Sequence, residues 1–495
     1  VRAMDELERS CRDDDDAVRQ ALMDMLRRCG VDCRLEPWPP ADRAVVAGAV
    51  AGNGLQGKGT ATGEGTATGE GVPAENRTPT GNGRSAGNGA PRRKEAARQR
   101  LALLSGVSPD RSALPFARPA RPQFKRVMDR LTPSYDCGQL TNGALVRELE
   151  ERVADRLRVG HVVAVSSCTS GLLLVVQALV EGRSGPVLVS SFTFSASAHA
   201  VAWNGRSPRF VECDPGTFQM DLAQAEAALD GASAIMATHM FGAPCSPEAV
   251  ETLAGPAGIP VVFDAAHAIG ATSHERPIGG FGDAEVFSLT PTKPMVAGEG
   301  GLVATHDPDL AARLRMGRDY GNPGDYDTRF VGLNARMSEF HAALALESLA
   351  LLDHSLARRR ELAMRYVGGL VGVPGIRSQV VPLEDVSTYK DFTIAVDAAE
   401  FGIDRNQLVA VLAAEGIDTR NYFDPPVHRQ QAYRSERTPF LPTTEAVSRS
   451  VVSLPIYPDL SIDDVDAVTR VIRLAHEQAE EVAAELDLAG EHQPR

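Results

Sequence analysis

The sequence has few cysteines, and their arrangement excludes two common kinds of cysteine site. Disulfide frameworks and structural zinc sites need cysteines in pairs at characteristic spacings. Here the number is odd and no CxxC pair occurs, so we expect reduced thiols, a cytoplasmic location and no metal site. The seven cysteines are Cys11, Cys29, Cys33, Cys137, Cys168, Cys213 and Cys245.

An excess of positive charge and long hydrophobic runs are also missing. The formal net charge is -14, which excludes nucleic acid as the main partner because phosphate backbones need a basic surface. A small anionic ligand needs only a local group of donors and is compatible with this charge. No apolar run approaches the roughly 20 residues of a membrane-spanning helix. Four aspartates at 13–16 interrupt the stretch where a secretory signal would lie.

The length of the chain and the position of its glycines divide it into segments. A single core rarely grows beyond about 250–300 residues, so 495 residues predict two or more compact units. Residues 1–34 are expected to hold a short helical segment of unknown role. Twelve of the forty residues from 51 to 90 are glycine, and the hexad GTATGE occurs there twice. Such a composition buries too little apolar surface to offset its ordering entropy, so we expect 35–118 to be largely disordered.

Short apolar runs alternate with helical patterns between residues 119 and 365. Near-continuous apolar strands separated by helices predict an α/β fold whose sheet is mostly parallel and covered on both faces. Ligands bind such sheets at the carboxyl ends of the strands. Residues 366–480 mix strand and helix patterns and predict a smaller C-terminal α+β domain, followed by a tail at 481–495. The seven runs lie at 161–165, 186–190, 208–213, 233–238, 259–264, 284–289 and 300–305.

Two charged residues follow predicted strands and are candidates for chemistry. Lys293 lies in a loop poor in other charges, where a partly desolvated lysine suits Schiff-base formation. The alternative is an ordinary surface lysine. Asp264 ends the run VVFD, and a carboxylate there can keep the pyridine nitrogen of pyridoxal phosphate protonated. The alternative is an N-cap for the helix that follows.

Two uncharged motifs follow neighbouring strands. The segment SSCTSG at 166–171 opens a helix, and small hydroxylated residues at a helix N-terminus form an anion site from free N–H groups and the helix dipole. A plain helix cap is the alternative. Phe194, after the next strand, offers an aromatic plate, although core packing would also explain a single phenylalanine.

Taken together and in this order, these motifs resemble the DegT-type sugar aminotransferases, which are fold-type I pyridoxal-phosphate enzymes. The resemblance runs from about residue 121 to about residue 475. It implies a large domain with a mostly parallel seven-stranded sheet and a smaller C-terminal domain. The segments that carry it are TNGALVRELE, SSCTSGL, SSFTFSASAHAVAWNG, FDAAHAIGA, GGFGDAEVFSLTPTK, GEGGLV, LNARMSEFHAA and GIDTRNYFDPPVH.

The resemblance assigns roles around the cofactor ring. It implies that Lys293 carries the cofactor and that Asp264 pairs with its pyridine nitrogen. His267 falls where the family has a His or Gln near the ring oxygen, and Phe194 stacks on the ring. Pro294 stands where the family more often has Asn, which could alter the loop without touching the chemistry.

The resemblance also assigns residues to the cofactor phosphate. Thr169 and Ser170, with Ser288, would hold the phosphate from the same chain. Asn334 matches an asparagine that reaches the phosphate of the neighbouring subunit. This last role implies a homodimer with shared active sites.

The activity implied by the resemblance is transfer of an amino group from glutamate or glutamine to a keto-sugar, which we expect to be nucleotide-linked. Related dehydratases carry His at the lysine position, so Lys293 favours the aminotransferases. One alternative is the same chemistry on a cyclitol or another ketone without a nucleotide. A second is a catalytically silent partner or regulator with this fold, which the intact Lys293 and Asp264 disfavour.

Overall fold

The computed structural model describes residues 100–106, 112–435 and 438–491. The segment 1–34 and most of 35–118, for which a short helix and disorder were expected, lie outside the described residues. Among the residues described, no helix is both long enough and apolar enough to cross a membrane.

The expected α/β architecture is present, and its seven-stranded sheet is mostly parallel. The strand order is β1-β9-β8-β5-β4-β2-β3, and β9 runs antiparallel to both of its neighbours while the remaining pairs are parallel. Each of the seven strands coincides with one of the apolar runs in the sequence. They are β1 (His161–Val165), β2 (Val187–Ser190), β3 (Pro208–Val211), β4 (Ala234–Thr238), β5 (Val261–Asp264), β8 (Ala284–Ser288) and β9 (Gly301–Thr305).

Helices cover both faces of this sheet because its strands are apolar on both sides, and most of the strand residues are buried.

Four short strands lie outside this sheet: β6 (Thr272–Ser273), β7 (Arg276–Pro277), β10 (Ile376–Ser378) and β11 (Asp385–Val386). The helices up to the end of the large domain are α1 (Ala102–Ser105), α2 (Phe124–Asp136), α3 (Ala144–Leu157), α4 (Cys168–Val180), α5 (Ser195–Trp203), α6 (Leu222–Ala227), α7 (Pro247–Ala254), α8 (Pro308–Gly317), α9 (Glu339–Leu349) and α10 (Leu352–Leu370).

Helix α4 approaches the sheet unusually closely, and a glycine makes this possible. A Cβ atom on Gly171 would lie 2.8 Å from a side-chain carbon of Val286 in β8 and 3.0 Å from one of Val303 in β9. Because real Cβ atoms do not approach other atoms so closely, only glycine fits there. The contact fixes the first turn of α4 against the edge of the sheet where β1 and β8 end.

A buried carboxylate joins three helices of the large domain. Glu339, the first residue of α9, accepts hydrogen bonds from the backbone N–H groups of Gly143, Leu145 and Val146 at 2.8, 2.9 and 3.1 Å. The hydroxyl of Ser134 in α2 donates a fourth bond at 2.9 Å. The first N–H groups of a helix have no partner within it, so Glu339 caps α3 from a distant part of the chain.

The second sheet has three antiparallel strands, in the order β10-β12-β13, and belongs to the smaller C-terminal domain. Its hydrophobic core includes Tyr366, Phe392, Leu408 and Ile472, all buried. Ser461 caps the long helix α14 reciprocally with Asp464. The remaining elements are β12 (Phe392–Val396), α11 (Ala398–Phe401), α12 (Arg405–Ala414), α13 (Pro442–Ser450), β13 (Val451–Leu454), α14 (Ile462–Glu477) and α15 (Ala479–Glu491).

Three boundaries of the expected segments differ from the structure. Residues 100–106 and 112–118 lie inside the range expected to be disordered, yet Leu101, Leu114 and Phe116 are buried. The backbone of Leu114 bridges that of Ile417, which ties this N-terminal arm to the smaller domain. The expected boundary at residue 365 falls within α10, and the expected tail begins inside α15. Local composition could not predict these contacts, because the apolar residues that the N-terminal arm contacts lie hundreds of residues away in the sequence.

Candidate active site

The candidate residues from the sequence converge on one edge of the large sheet. Strands β2, β4, β5 and β8 run parallel, and β1 shares their direction because both β1 and β8 are antiparallel to β9. Their carboxyl ends therefore meet at the same edge. Asp264 and Ser288 are the last residues of β5 and β8, and Lys293 follows five residues after Ser288.

The N-terminus of α4 offers a site for an anion at this edge. The hydroxyl of Ser167 accepts from the backbone N–H of Ser170 at 3.0 Å, and the hydroxyl of Ser170 accepts from the backbone N–H of Ser167 at 3.1 Å. This reciprocal cap fixes the backbone of the loop. The N–H groups of Cys168 and Thr169, at the start of a 13-residue helix, have no partner one turn back. With the helix dipole, they favour a negatively charged group.

Strand β9 holds this loop in place from the other side. A Cβ atom on Gly301 would lie 2.6 Å from the backbone nitrogen of Cys168 and from the carbonyl carbon of Ser167. Only a glycine leaves room for the loop to lie against the strand. Ser288 is buried beside this region, and its hydroxyl lies 3.3 Å from that of Thr290. Thr169 is half-buried at the same helix end.

Asp264 is a buried carboxylate with uncharged partners. It is 4% exposed, its Oδ2 accepts from the hydroxyl of Ser197 at 2.6 Å, and its Oδ1 accepts from the backbone N–H of Ala266 at 3.1 Å. In the described part of the chain no cationic side chain lies within 4 Å of it. Burial raises the pKa of Asp264, against the lowering effect of these hydrogen bonds and of the charge on Lys293.

Lys293 is half-buried in the loop after β8, and no hydrogen bond to its amine is made by the described residues. Burial lowers the pKa of Lys293 to about 8, and the positive charge of Lys390 lowers it further in the same direction. The carboxylates of Asp391 and Asp264 and the thiol of Cys168 act in the opposite sense. A lysine with a lowered pKa is in part neutral near physiological pH, and the neutral amine is the form that attacks a carbonyl group.

His267 and Phe194 differ in their exposure and in their partners. His267 is buried, its Nδ1 has no hydrogen-bond partner in the described structure, and burial together with Lys293 and Lys390 lowers its pKa well below the usual range. Phe194 is 58% exposed, which is unusual for phenylalanine and excludes the alternative that it is a core residue. The ring of Phe423 approaches that of Phe194 at a centroid distance of 6.2 Å, and the exposed part of the Phe194 ring is available to a planar ligand.

Asn334 stands apart from the other candidates. Its side chain is exposed, and its Oδ1 accepts from the guanidinium of Arg336 at 3.3 Å. The next residue, Ala335, accepts from the backbone N–H of Ser166 at 2.8 Å. Among the described residues, the Asn334 side chain is hydrogen-bonded to Arg336 and to no residue of the anion site at 166–170.

Reasoning from the sequence missed two residues that the structure brings to the site. Ser197 orients Asp264, and Lys390 is buried within electrostatic reach of Lys293 and His267. Ser197 lies on the first turn of α5, three residues after Phe194, and a small hydroxyl at that position was a usable signal. Lys390 comes from the smaller domain, and no local pattern at the large sheet points to it.

Pyridoxal phosphate fits this arrangement. Its phosphate matches the serine-rich N-terminus of α4, and its protonated pyridine nitrogen would supply the cation that the buried Asp264 lacks. The orphaned Nδ1 of His267 would gain a partner from a ring substituent. Lys293 provides the amine for the aldehyde. A mostly parallel seven-stranded sheet with these groups at one edge is the arrangement of a fold-type I pyridoxal-phosphate aminotransferase.

Comparison with known proteins gives the family. The profile of the DegT/DnrJ/EryC1/StrS aminotransferase family matches residues 124–473, and the chain belongs to this family of pyridoxal-phosphate-dependent sugar aminotransferases. It is 35% identical to the dTDP-3-amino-3,4,6-trideoxy-alpha-D-glucose transaminase of Streptomyces venezuelae, over 70% of this chain and 90% of that one. It is 31% identical to the spore coat polysaccharide biosynthesis protein SpsC of Bacillus subtilis, over 70% and 94% of the two chains.

A solved structure supports the same assignment. The crystal structure of DesI in the presence of its TDP-sugar product is 37% identical in sequence, with a TM-score of 0.74. The match covers 78% of this chain and 99% of that one. The family, the fold and the cofactor expected from the sequence are thereby confirmed.

Proposed function

We propose that this enzyme transfers an amino group to a nucleotide-linked keto-sugar in the biosynthesis of an amino sugar. The observation that carries the proposal is the likeness, over about two thirds of the chain, to transaminases named for dTDP- and UDP-linked sugars. The third relative is the UDP-N-acetyl-3-dehydro-alpha-D-glucosamine 3-aminotransferase of Acidithiobacillus ferrooxidans, 33% identical over 66% of this chain and 87% of that one.

The residues of the site have distinct tasks in this reaction. When bound, pyridoxal phosphate supplies an electron-withdrawing ring and a carrier for the amino group. Asp264 holds the proton on the pyridine nitrogen, and Ser197 holds Asp264 in place. Lys293 would be the base and acid that moves a proton at the substrate carbon. The N-terminus of α4 and Ser288 hold the phosphate.

The amino donor that we propose is glutamate or glutamine, used in a first half-reaction before the keto-sugar binds. The protein would act in the cytoplasm, where both donors and nucleotide sugars occur and where its unpaired thiols stay reduced. A cyclitol or another ketone without a nucleotide is the second candidate acceptor, because the same residues would serve it equally.

The test is a panel of acceptors. The purified protein is incubated with 3-keto and 4-keto nucleotide sugars, or with keto-cyclitols, together with glutamate or glutamine labelled with heavy nitrogen. We expect the label to appear, by mass spectrometry, in a nucleotide sugar and in no cyclitol, with Lys293→Ala as the inactive control. Labelling of the cyclitols alone would replace the proposed substrate class.

We also propose that the working form is a homodimer with shared sites. Aromatic side chains are exposed together on α2 and α9: Tyr135 and Phe340 are 62% and 45% exposed, and their rings meet edge-on at 6.4 Å. Phe124 on α2 is also exposed. Exposed aromatic clusters are typical of subunit interfaces, and a two-fold dimer would bury both copies of this one.

Subunit exchange tests whether Asn334 serves the partner. A Lys293→Ala variant is mixed with an Asn334→Ala variant, and exchange is verified with differently tagged chains. If sites are shared, one site of each heterodimer carries both lesions and the other carries none, so activity should rise above that of either parent. If Asn334 acts within its own chain, every site keeps one lesion and mixing restores nothing.

A further inference from the structure

Lysine is scarce in this protein, and two of its few lysines meet at the active site. The sequence has five, at positions 58, 94, 125, 293 and 390. Lys125 is exposed on α2, where it pairs with Asp129. Lys390 is 4% exposed and its neighbour Asp391 is 3% exposed. A second buried lysine beside the cofactor lysine is not required by packing, since arginine is the usual cation elsewhere in the chain.

Lys390 and Asp391 form an ion pair that is closed off from water. The ammonium of Lys390 donates to both carboxylate oxygens of Asp391, at 2.7 and 2.9 Å. The ring of Tyr422 lies 5.4 Å from the ammonium and that of Phe116, from the N-terminal arm, lies 6.0 Å away. These two rings meet edge-on at 5.8 Å. Charges in such surroundings act over longer distances than charges in water.

The segment 388–391, which carries the pair, is hydrogen-bonded to the residues that follow Asp264 at the end of β5. The hydroxyl of Thr388 donates to the carbonyl of His267 at 2.7 Å, and the backbone N–H of Thr388 donates to the carbonyl of Gly242 at 3.1 Å. A Cβ atom on Gly242 would lie 1.9 Å from the Thr388 hydroxyl, so the two backbones cannot be closer. Lys390 therefore has a fixed position relative to the segment that begins with Asp264.

A line of aromatic rings connects the pair with the plate for the cofactor. Tyr422 stacks on Phe423 at 5.2 Å, and Phe423 contacts Phe194 at 6.2 Å. The pair is thereby linked, through Tyr422 and Phe423, to the ring of Phe194. On its far side the buried guanidinium of Arg359 donates to the carbonyl of Lys390 at 3.1 Å and adds a further positive charge near Asp391.

The charges that act on the amine of Lys293 come from several elements. Lys390 and Asp391 lie on the segment before β12, Asp264 ends β5 and Cys168 begins α4. His267, after β5, is a neutral neighbour because its pKa lies well below the usual range. After burial itself, Lys390 is the strongest influence on the pKa of Lys293 and lowers it, while Asp391 raises it. Like charges disfavour the protonated amine, and opposite charges favour it.

We propose that Lys390 and Asp391 are positioning residues for Lys293, whose fixed and opposed charges determine how much of the Lys293 amine is neutral at a given pH. Lys390 increases the neutral fraction and Asp391 decreases it. Asp391 has a second task, because without it the ammonium of Lys390 would be buried without a partner and would lose its proton. This role concerns the lysine that binds the cofactor and holds for whichever ketone is the acceptor.

The experiment measures the protonation of Lys293 directly, without turnover. The full-length chain is freed of cofactor and treated with trace acetic anhydride over a series of pH values. Peptide mass mapping then gives the labelling midpoint of each lysine. Lys125, exposed and remote, is the reference within each sample. For the wild-type chain we expect a midpoint for Lys293 near 8.

Three variants separate charge from packing. Lys390→Met keeps the aliphatic stem and removes the charge, and the Lys293 midpoint should rise by about one pH unit. Lys390→Arg keeps a charge and should leave the midpoint where it is in the wild type. Asp391→Asn in the Lys390→Arg background should lower it, because arginine cannot lose its proton.

The labelling midpoint of Lys293 in these variants distinguishes an effect on its protonation from a purely structural role of the pair. A rise in Lys390→Met together with no change in Lys390→Arg supports the proposal. An unchanged midpoint in Lys390→Met, or an equal rise in Lys390→Arg, overturns it and leaves the pair a structural role only. If circular dichroism shows that Lys390→Met is unfolded, the double variant decides: a downward shift supports the proposal, and no shift or an upward one overturns it.

Discussion

The two walls of the active site hold their charges in different ways. On the sheet wall, formed by the N-terminus of α4, Asp264, Ser288 and Lys293, the buried carboxylate has only a hydroxyl and a backbone N–H as partners. On the small-domain wall, formed by Lys390, Asp391 and Tyr422, the two charges neutralise each other. A single buried charge is costly unless a ligand pairs with it. The sheet wall is therefore built for a charged ligand, and the small-domain wall is complete without one.

Loss of Lys293 should have the largest effect, because it removes the only amine on the sheet wall. We expect Lys293→Ala to abolish measurable transamination, a loss of at least about 10²–10⁴-fold for a proton-transfer group alone. Borohydride reduction of the wild-type enzyme with cofactor, followed by peptide mapping, should place the label on Lys293. A label on Lys390 instead would show that Lys390, and not Lys293, carries the cofactor.

Loss of the N-terminal arm should destabilise the small-domain wall. Leu101, Leu114 and Phe116 are almost fully buried, and burial of such a side chain contributes about 1.5–3 kcal/mol before compactness of the unfolded chain is considered. A variant beginning at residue 119 should be less stable than one beginning at residue 100 by about 3–6 kcal/mol. Thermal melts of the two, compared at equal cofactor saturation, measure this. Equal midpoints would show that the arm is not part of the wall.

Asp264→Ala tests whether the buried carboxylate of the sheet wall serves the cofactor. Turnover should fall by about 10²–10³-fold, as for other lost electrostatic partners of a reacting group, while the protein stays folded. Asp307→Ala is the matched control, because Asp307 caps α8 through the N–H groups of Asp309 and Leu310 and has no other task. If Asp264→Ala keeps wild-type turnover as the control does, Asp264 only fixes the turn after β5 through the N–H of Ala266.

Ser197→Ala should give the smallest of these effects. It removes one hydrogen bond to a buried carboxylate, worth about 1–3 kcal/mol, so the affinity for pyridoxal phosphate should weaken by about tenfold. Equilibrium titration of the cofactor-free chain, followed by absorbance, measures the change. Ser195→Ala, on the same turn of α5 but without a bond to Asp264, should bind the cofactor as the wild type does. Equal losses of cofactor affinity in the two variants would show that the effect comes from a change in helix α5 and not from the lost hydrogen bond to Asp264.

The sheet wall was predictable from the sequence because each of its groups is local to a strand end. Asp264 is the last residue of its strand, and the serines of α4 follow another strand directly. Alternating strands and helices fix the sheet, and the sheet brings its carboxyl ends together. The seven strands were predicted for the same reason, because each is a local apolar run.

The small-domain wall was not predictable in this way. Lys390 reaches Lys293 only because Thr388 bonds to His267, which is 121 residues away, and Phe116 contacts Tyr422 from more than three hundred residues away. No periodic pattern or turn motif in the sequence predicts either contact. For the same reason the arm at 112–118 was assigned to the disordered segment, since the glycine-rich stretch 51–90 precedes it in the sequence and its partners are distant.

The cap that Glu339 forms on α3 has a consequence for how this sequence can change. A Cβ atom on Gly143 would lie 2.7 Å from the side-chain carboxyl carbon of Glu339, so a larger residue cannot enter while the glutamate stays. A shorter residue in place of Glu339 would free that space but leave the N–H groups of Gly143, Leu145 and Val146 without their acceptor. Descendants of this chain can therefore alter the two positions only together, and in related sequences the pair should be kept or exchanged as one unit.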